Sequence, residues 1–156
     1  MTLPDSAETL RRLLMAILLL GLSGSGTELV LLRHHEDWKQ WIPLGLIAAA
    51  LGVMSWHALA AGPASVRALR LVMTFLILGG LLGVALHFQS TLEFQSEIDP
   101  SLRGWKLVLK ALQAKAPPAL APGVLVPLGL LGLAITYRHP ALAAPEAAET
   151  EPRRKK

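Results

Sequence analysis

The stretch ALRLVMTFLILGGLLGVALHF, residues 68–88, decides the fold class, because its only ionisable side chains are Arg70 near its start and His87 near its end. A helix of about 20 apolar residues crosses the roughly 30 Å hydrocarbon core of a bilayer. Three further stretches of similar composition lie at residues 10–32, 42–61 and 119–137. The sequence therefore predicts an all-α membrane protein, built as a four-transmembrane-helix bundle.

The amino-acid composition supports an integral membrane protein. Hydrophobic residues make up 53% of the 156 residues, and charged residues only 17%. The charges collect between the four stretches, as expected when a charge at the bilayer centre is costly. The net charge of +4 includes the terminal run RRKK, residues 153–156, which we interpret as a topology signal facing anionic lipid and not as a nucleic-acid site. The absence of cysteine excludes disulfides, thiolate catalysis and iron–sulfur clusters.

The first stretch also resembles a signal peptide, because two arginines precede the apolar run at residues 13–20. The apolar pattern resumes at residues 29–32, however, and no alanine-type cleavage signature is present. We therefore predict that this span is retained. Its small residues predict a face for close helix packing, formed by Gly21, Gly24 and Gly26.

The placement of lysine and arginine predicts the orientation. With four spans, the side that holds both termini carries Arg11, Arg12, Arg67, Arg70, Arg138, Arg153, Arg154, Lys155 and Lys156. The other side carries Arg33, Lys39, Arg103, Lys106, Lys110 and Lys115, most of them in a long loop that counts weakly. Both termini are therefore predicted to be cytoplasmic. The predicted parts are a cytoplasmic N-terminus (1–9), a transmembrane domain (10–138) and a disordered cytoplasmic tail (139–156).

The loop between the third and fourth spans, residues 89–118, is patterned. An apolar stripe at helical spacing predicts a short helix over 101–115, and it consists of Leu102, Trp105, Leu109 and Leu112. This helix either lies on the outer membrane surface as an interfacial helix or packs on the ends of the bundle. In the fourth span, Pro127 predicts a kink.

Acidic and histidine side chains concentrate at the predicted outer boundary. His34 and Asp37, at i and i+3, can share one ion on a helix, and His87 can complete a divalent-metal site. His35 and Glu93 are then candidates for hydrogen bonds to these ligands. The alternative is a solvated polar cap without a metal.

Glu28 is the candidate functional carboxylate inside a span. It lies about a turn and a half before the end of the first span, and an intramembrane carboxylate needs a partner. His87 is the candidate for direct contact. The alternative is that Glu28 reaches water, or hydrogen-bonds across helices as a packing group. His57, beside Trp56 at the inner end of the second span, is interpreted as a packed or interfacial histidine.

No catalytic motif is present. The glycine-rich run at residues 21–26 has no following lysine, and the chain has no His-Glu-x-x-His or Glu-x-x-His. Phosphate-loop, zinc-protease and di-iron chemistry are therefore unsupported, and no organic cofactor is expected.

Two segments carry a resemblance to a known family. The run ELVLLRHHEDWKQWIPL, residues 28–44, resembles the first outer loop of a family of bacterial four-span integral membrane proteins, and LLGLAITYRHP, residues 130–140, is similar to its last span. The resemblance implies four spans and a bacterial inner membrane, but it implies no activity.

These observations predict a non-catalytic accessory or membrane-organising subunit. Its expected partners are the lipid bilayer and either other membrane subunits or a second copy, held through the glycine faces. Two alternatives remain open. One is an outer-facing metal or ligand site, and the other is a small proton-coupled transporter subunit that uses Glu28.

Overall fold

The computed structural model describes residues 3–33, 36–114 and 120–143, and over these residues the chain is helical, with no strand. Three helices are long and apolar enough to cross a membrane: α1 (Leu3–Leu31), α2 (Trp41–Leu59) and α3 (Pro63–Ile98). The remaining helices are α4 (Trp105–Leu112), α5 (Leu120–Gly123) and α6 (Leu125–Thr136), with short 3-10 helices at Trp38–Gln40 and Pro140–Leu142. The predicted all-α class and three apolar helices are confirmed.

The four longest helices pack in a ring. α1 contacts α2, α2 contacts α3, α3 contacts α6, and α6 closes the ring onto α1. Among the described residues, the backbones of α1 and α3, and those of α2 and α6, do not approach each other across the diagonals. The buried core lies between the four helices and consists of Leu18, Leu22, Ile47, Ala50, Met54, Leu69, Met73, Leu76, Leu125 and Ile135.

α3 is longer than the span predicted from the sequence. It has 36 residues, about 54 Å at 1.5 Å per residue, and it continues ten residues past Phe88. Within the extension, Gln89 Nε2 donates to Glu93 Oε1 at 2.9 Å, and Thr91 Oγ1 donates to the His87 carbonyl at 2.8 Å. The helix ends only before Asp99 and Pro100, because proline disfavours a helical conformation in the residue before it.

The last apolar segment is divided in two. α5 ends at Gly123 and α6 begins at Leu125, which places the predicted kink residue Pro127 in the first turn of α6. There its missing N–H removes no helical hydrogen bond, whereas in a continuous helix its ring would clash with the Gly123 carbonyl. α6 has 12 residues, and in the described part of the chain it is an apolar helix shorter than the three that could cross a membrane.

The connection between α3 and α6 holds one helix, α4, which packs against α3. It is shorter than the predicted 101–115, because Gly104 precedes it with a φ of 56°. Asp99 Oδ1 accepts from the Ser101 N–H at 3.0 Å, so this segment forms a turn and not the start of the helix.

The start of the predicted tail is ordered by packing. The 3-10 helix Pro140–Leu142 contacts α3, and His139 caps it. Residues 144–156, the rest of the predicted tail, lie outside the described residues.

Candidate functional site

The structure places the predicted outer residues on separate elements. Asp37 caps the 3-10 helix before α2, where its Oδ1 accepts from the Lys39 N–H at 3.4 Å. His87 is exposed on α3. His34 and His35 lie outside the described residues. Over the part of the chain that is described, no three histidine or acidic side chains form a group that could hold a metal ion. A metal site that includes His34 therefore stays a prediction.

Glu28 and Glu93, the two glutamates predicted from the sequence, do not lie on the segment that holds Asp37. Glu28 is exposed on α1, and Glu93 is exposed on α3, where it accepts the hydrogen bond from Gln89. Neither Glu28 nor Glu93 is brought into a buried polar cluster.

Half-buried polar side chains instead converge at the opposite end of the bundle, where α1 and α3 begin and α2 and α6 end. We call this cluster the polar junction, and it consists of Arg11, His57, Ser65, Arg70, Thr136 and His139. Ser65 and Thr136 are the two buried polar residues of the described chain, each 1% exposed. Buried polar groups need hydrogen-bond partners, and the junction supplies them.

Arg70 ties α3 to the end of α6. Its Nη2 donates to the Thr136 carbonyl at 2.6 Å, and its Nε donates to Thr136 Oγ1 at 3.3 Å. The last carbonyls of a helix have no partner within the helix and carry the negative end of the helix dipole, so a guanidinium is favoured there. An arginine one to two turns inside an apolar helix is thereby satisfied by backbone, as intramembrane arginines commonly are.

Arg11 makes the same kind of contact from α1. Its Nη2 donates to the Arg138 carbonyl at 3.2 Å and to the Tyr137 carbonyl at 3.5 Å. The helical course ends at Tyr137, whose backbone is extended with a ψ of 128°, and Arg138 follows it with a φ of 45°. Two arginines from different helices therefore bind three consecutive carbonyls at the end of α6, those of residues 136–138.

His57 joins the end of α2 to the start of α3. Its Nδ1 is 2.9 Å from Ser65 Oγ, which also accepts from the Gly62 N–H at 3.1 Å. The imidazole of His57 packs edge-on against that of His139, with ring centroids 5.3 Å apart. The α2–α3 turn and the segment after α6 thus meet through two histidine rings.

His139 is held in its neutral form. Its Nδ1 accepts from the Ala141 N–H at 3.2 Å, which a protonated Nδ1 cannot do. Burial lowers the pKa of His139 below its usual 6.5, and the nearby His57, Arg11 and Arg70 lower the pKa further. Burial and the neighbouring cations each disfavour a positive charge on His139.

This pKa shift predicts a pH-dependent stability. Because the folded state lowers the pKa of His139, the unfolded chain binds more protons at mildly acidic pH. The contribution of neutral His139 is fully present above pH 6.5 and is lost as pH falls toward the folded pKa. We expect the free energy of unfolding to fall as the pH is lowered below 6.5, as measured by thermal or denaturant unfolding in detergent.

The matched variants for that measurement are His139→Gln and His87→Gln. A glutamine at 139 keeps an acceptor but does not titrate, so the fall in stability should shrink. His87 is exposed on the same protein, and its replacement should leave the fall unchanged. An identical pH profile for the wild type and His139→Gln would contradict the assignment.

The sequence pointed to only part of this cluster. The sequence predicts topology signals at Arg11 and Arg70 and a packed or interfacial histidine at His57, whereas it does not single out Ser65, Thr136 or His139. One signal was present: Arg70 lies inside an apolar helix, and such a residue is a functional candidate by default.

Comparison of the chain with protein-family models, with curated proteins and with solved structures finds no match. Its function is therefore inferred from its own residues.

Proposed function

We propose that this chain is a four-span protein of the bacterial inner membrane that acts without catalysis as a membrane-organising or accessory subunit, by pairing its α1 with the α1 of a second copy. The observation that carries this proposal is the exposed carboxylate of Glu28 on the outward face of an apolar helix.

The ring of helices supports the four-span count. α5 and α6 together cover residues 120–136, about 25 Å of helix, and both pack against α3. That length approaches the thickness of the hydrocarbon core. The surplus of basic residues at the end that holds the polar junction supports cytoplasmic termini.

The surface of α4 supports an interfacial position. Trp105, Leu109 and Leu112 form one exposed apolar stripe, whereas Ala111 is buried. Lys106 and Lys110 are exposed beside the stripe. An apolar stripe flanked by lysines fits the boundary between acyl chains and headgroups.

Glu28 lies within the proposed span. It is about 25 Å along the helix from Arg11 and Arg12, less than the roughly 30 Å of the hydrocarbon core. Leu20, Gly24 and Leu31 share its outward face and are exposed. A carboxylate at that depth requires a hydrogen-bond partner, which the isolated chain does not place on this face in its described part.

The glycines of α1 support close approach of another helix on the same face. Gly21 packs against Leu128 and Gly26 against Ile47, inside the bundle. A Cβ added to Gly24 would meet nothing within 4 Å, so this glycine leaves open space on the outward face. Small residues at such positions allow transmembrane helices to pack closely. In a parallel pair, the two Glu28 side chains lie close together, and a hydrogen bond joins them when one carboxyl group carries a proton and donates it to the other.

Cross-linking tests this pairing, because the chain has no native cysteine. A Leu20→Cys variant, oxidised in membranes, is expected to give a covalent dimer, since disulfides form only when the two Cα atoms lie within about 7 Å. Leu130→Cys on α6 is the control, because that leucine is also exposed but lies on another face. Equal dimer yields at the two positions would contradict the proposal.

Variants of Glu28 add a second readout. Glu28→Gln keeps a hydrogen-bonding group and should preserve the dimer, whereas Glu28→Leu should reduce its yield. The transporter alternative predicts that Glu28→Gln abolishes transport, because a proton-coupled step requires a group that titrates. That alternative and the metal site at His34, Asp37 and His87 remain predictions.

A further inference from the structure

We infer that the polar junction binds the phosphate of an anionic phospholipid headgroup at the bilayer surface next to the chain termini. This inference goes beyond the proposed pairing of α1 and does not depend on it, because the junction and the outward face of α1 share no residue.

The charge of the junction is uncompensated. Arg11, Arg70 and His57 all lie near enough to His139 to lower its pKa. The only salt bridge among the described residues joins Arg12 to Glu8, one turn apart on α1. Half-buried cations without a carboxylate are costly, and an anion that enters would lower that cost.

Donors remain after the helix contacts are made. A guanidinium has five N–H donors in a planar fork. Arg70 uses Nε and Nη2 on Thr136, and Arg11 uses Nη2 on the two carbonyls after α6. Among the described residues, the Nη1 groups of both arginines have no hydrogen-bond partner. Because Nδ1 of His139 is an acceptor, its ring hydrogen lies on Nε2 and adds another donor.

Carbonyl groups hold these arginines in place but do not neutralise them. Each carbonyl is a dipole, whereas a phosphodiester carries a full negative charge and binds guanidinium groups through paired hydrogen bonds. The contacts to residues 136–138 therefore pre-orient the arginines for an anion.

The surroundings of the junction favour a lipid phosphate over other anions. Arg67 and Arg138 are exposed around it, and Tyr137 is 67% exposed. Tyrosine concentrates at headgroup depth, and basic pockets between transmembrane helices on the cytoplasmic side bind anionic headgroups. The junction lies among the ends of helices that are apolar enough to span the membrane.

The test compares binding of phosphatidylglycerol and phosphatidylcholine to the full chain in detergent, by native mass spectrometry and by lipid-dependent thermal shift. The wild type is expected to prefer phosphatidylglycerol. Arg11→Gln should weaken that binding about tenfold, as loss of one charge-assisted contact implies. Arg12→Gln is the matched control, because it removes the same charge from the next residue, which is exposed and paired with Glu8.

Two further arms make every outcome decisive. Arg11→Lys keeps the charge and should retain most of the preference for phosphatidylglycerol. If Arg11→Gln loses this preference while Arg11→Lys retains it, the loss comes from the missing charge and not from misfolding. Inorganic phosphate should compete only weakly. Equal losses in Arg11→Gln and Arg12→Gln, or no preference between the two lipids, would overturn the site. Competition by inorganic phosphate as strong as that by lipid would overturn the assignment to a headgroup.

Discussion

Replacing Gly129 by alanine is expected to lower the free energy of unfolding by about 3 kcal/mol. A Cβ at this position would lie 2.7 Å from the Met73 carbonyl oxygen and 3.2 Å from the Ile77 nitrogen. These atoms belong to the backbone of α3, so neither can move without displacing the helix. The close approach of α6 to α3 therefore requires a residue without a side chain.

Gly52→Ala on α2 is the control for this prediction. A Cβ there meets nothing within 4 Å, and alanine is the better helix former by up to about 1 kcal/mol. The two changes are chemically identical, yet Gly129→Ala should destabilise and Gly52→Ala should be neutral or slightly stabilising. Denaturant titration in mixed micelles, followed by circular dichroism, measures both. Similar unfolding midpoints for the two variants would show that α3 and α6 are not in close contact.

Arg70→Ala is expected to lower the free energy of unfolding by about 2 kcal/mol, the usual range for hydrogen bonds to a charged group. The change leaves the carbonyl and the hydroxyl of buried Thr136 without their arginine donor. The segment after α6 should lose its attachment to α3 at the same time. Limited proteolysis of that segment would report this loss.

Arg67→Ala is the matched control on the same helix. Arg67 is exposed and lies one turn before Arg70, so its replacement removes the same charge from nearly the same depth. It should change stability by less than about 0.5 kcal/mol, as surface substitutions usually do. Thr136→Val removes only the hydroxyl acceptor and should fall between the two. If Arg67→Ala cost as much as Arg70→Ala, the effect would come from net charge and not from the contact with Thr136.

The helices could be predicted from the sequence because hydrophobic length is a local property. The apolar run at residues 68–88 is sufficient by itself to indicate a helix that can cross a bilayer. The ends of the helices were less predictable. α3 continues to Ile98 because the polar residues after Phe88 form hydrogen bonds along the helix and contain no proline or glycine that would end it.

The site could not be predicted in the same way. The predicted topology places Glu28, Asp37 and His87 together at the outer boundary, yet the structure gives them exposed positions on three different elements. The junction combines Arg11 with the carbonyls of Tyr137 and Arg138, and it combines Arg70 with Thr136. The partners in each pair are far apart in the chain.

The amino-acid sequence alone determined that this chain is helical and that three of its helices are apolar enough to cross a membrane, since both follow from composition within single stretches. Only the tertiary structure decided which end of the bundle gathers half-buried polar groups. That outcome depends on how four helices pack in a ring and on where the carbonyls at the end of α6 find donors, and neither is a property of any one segment.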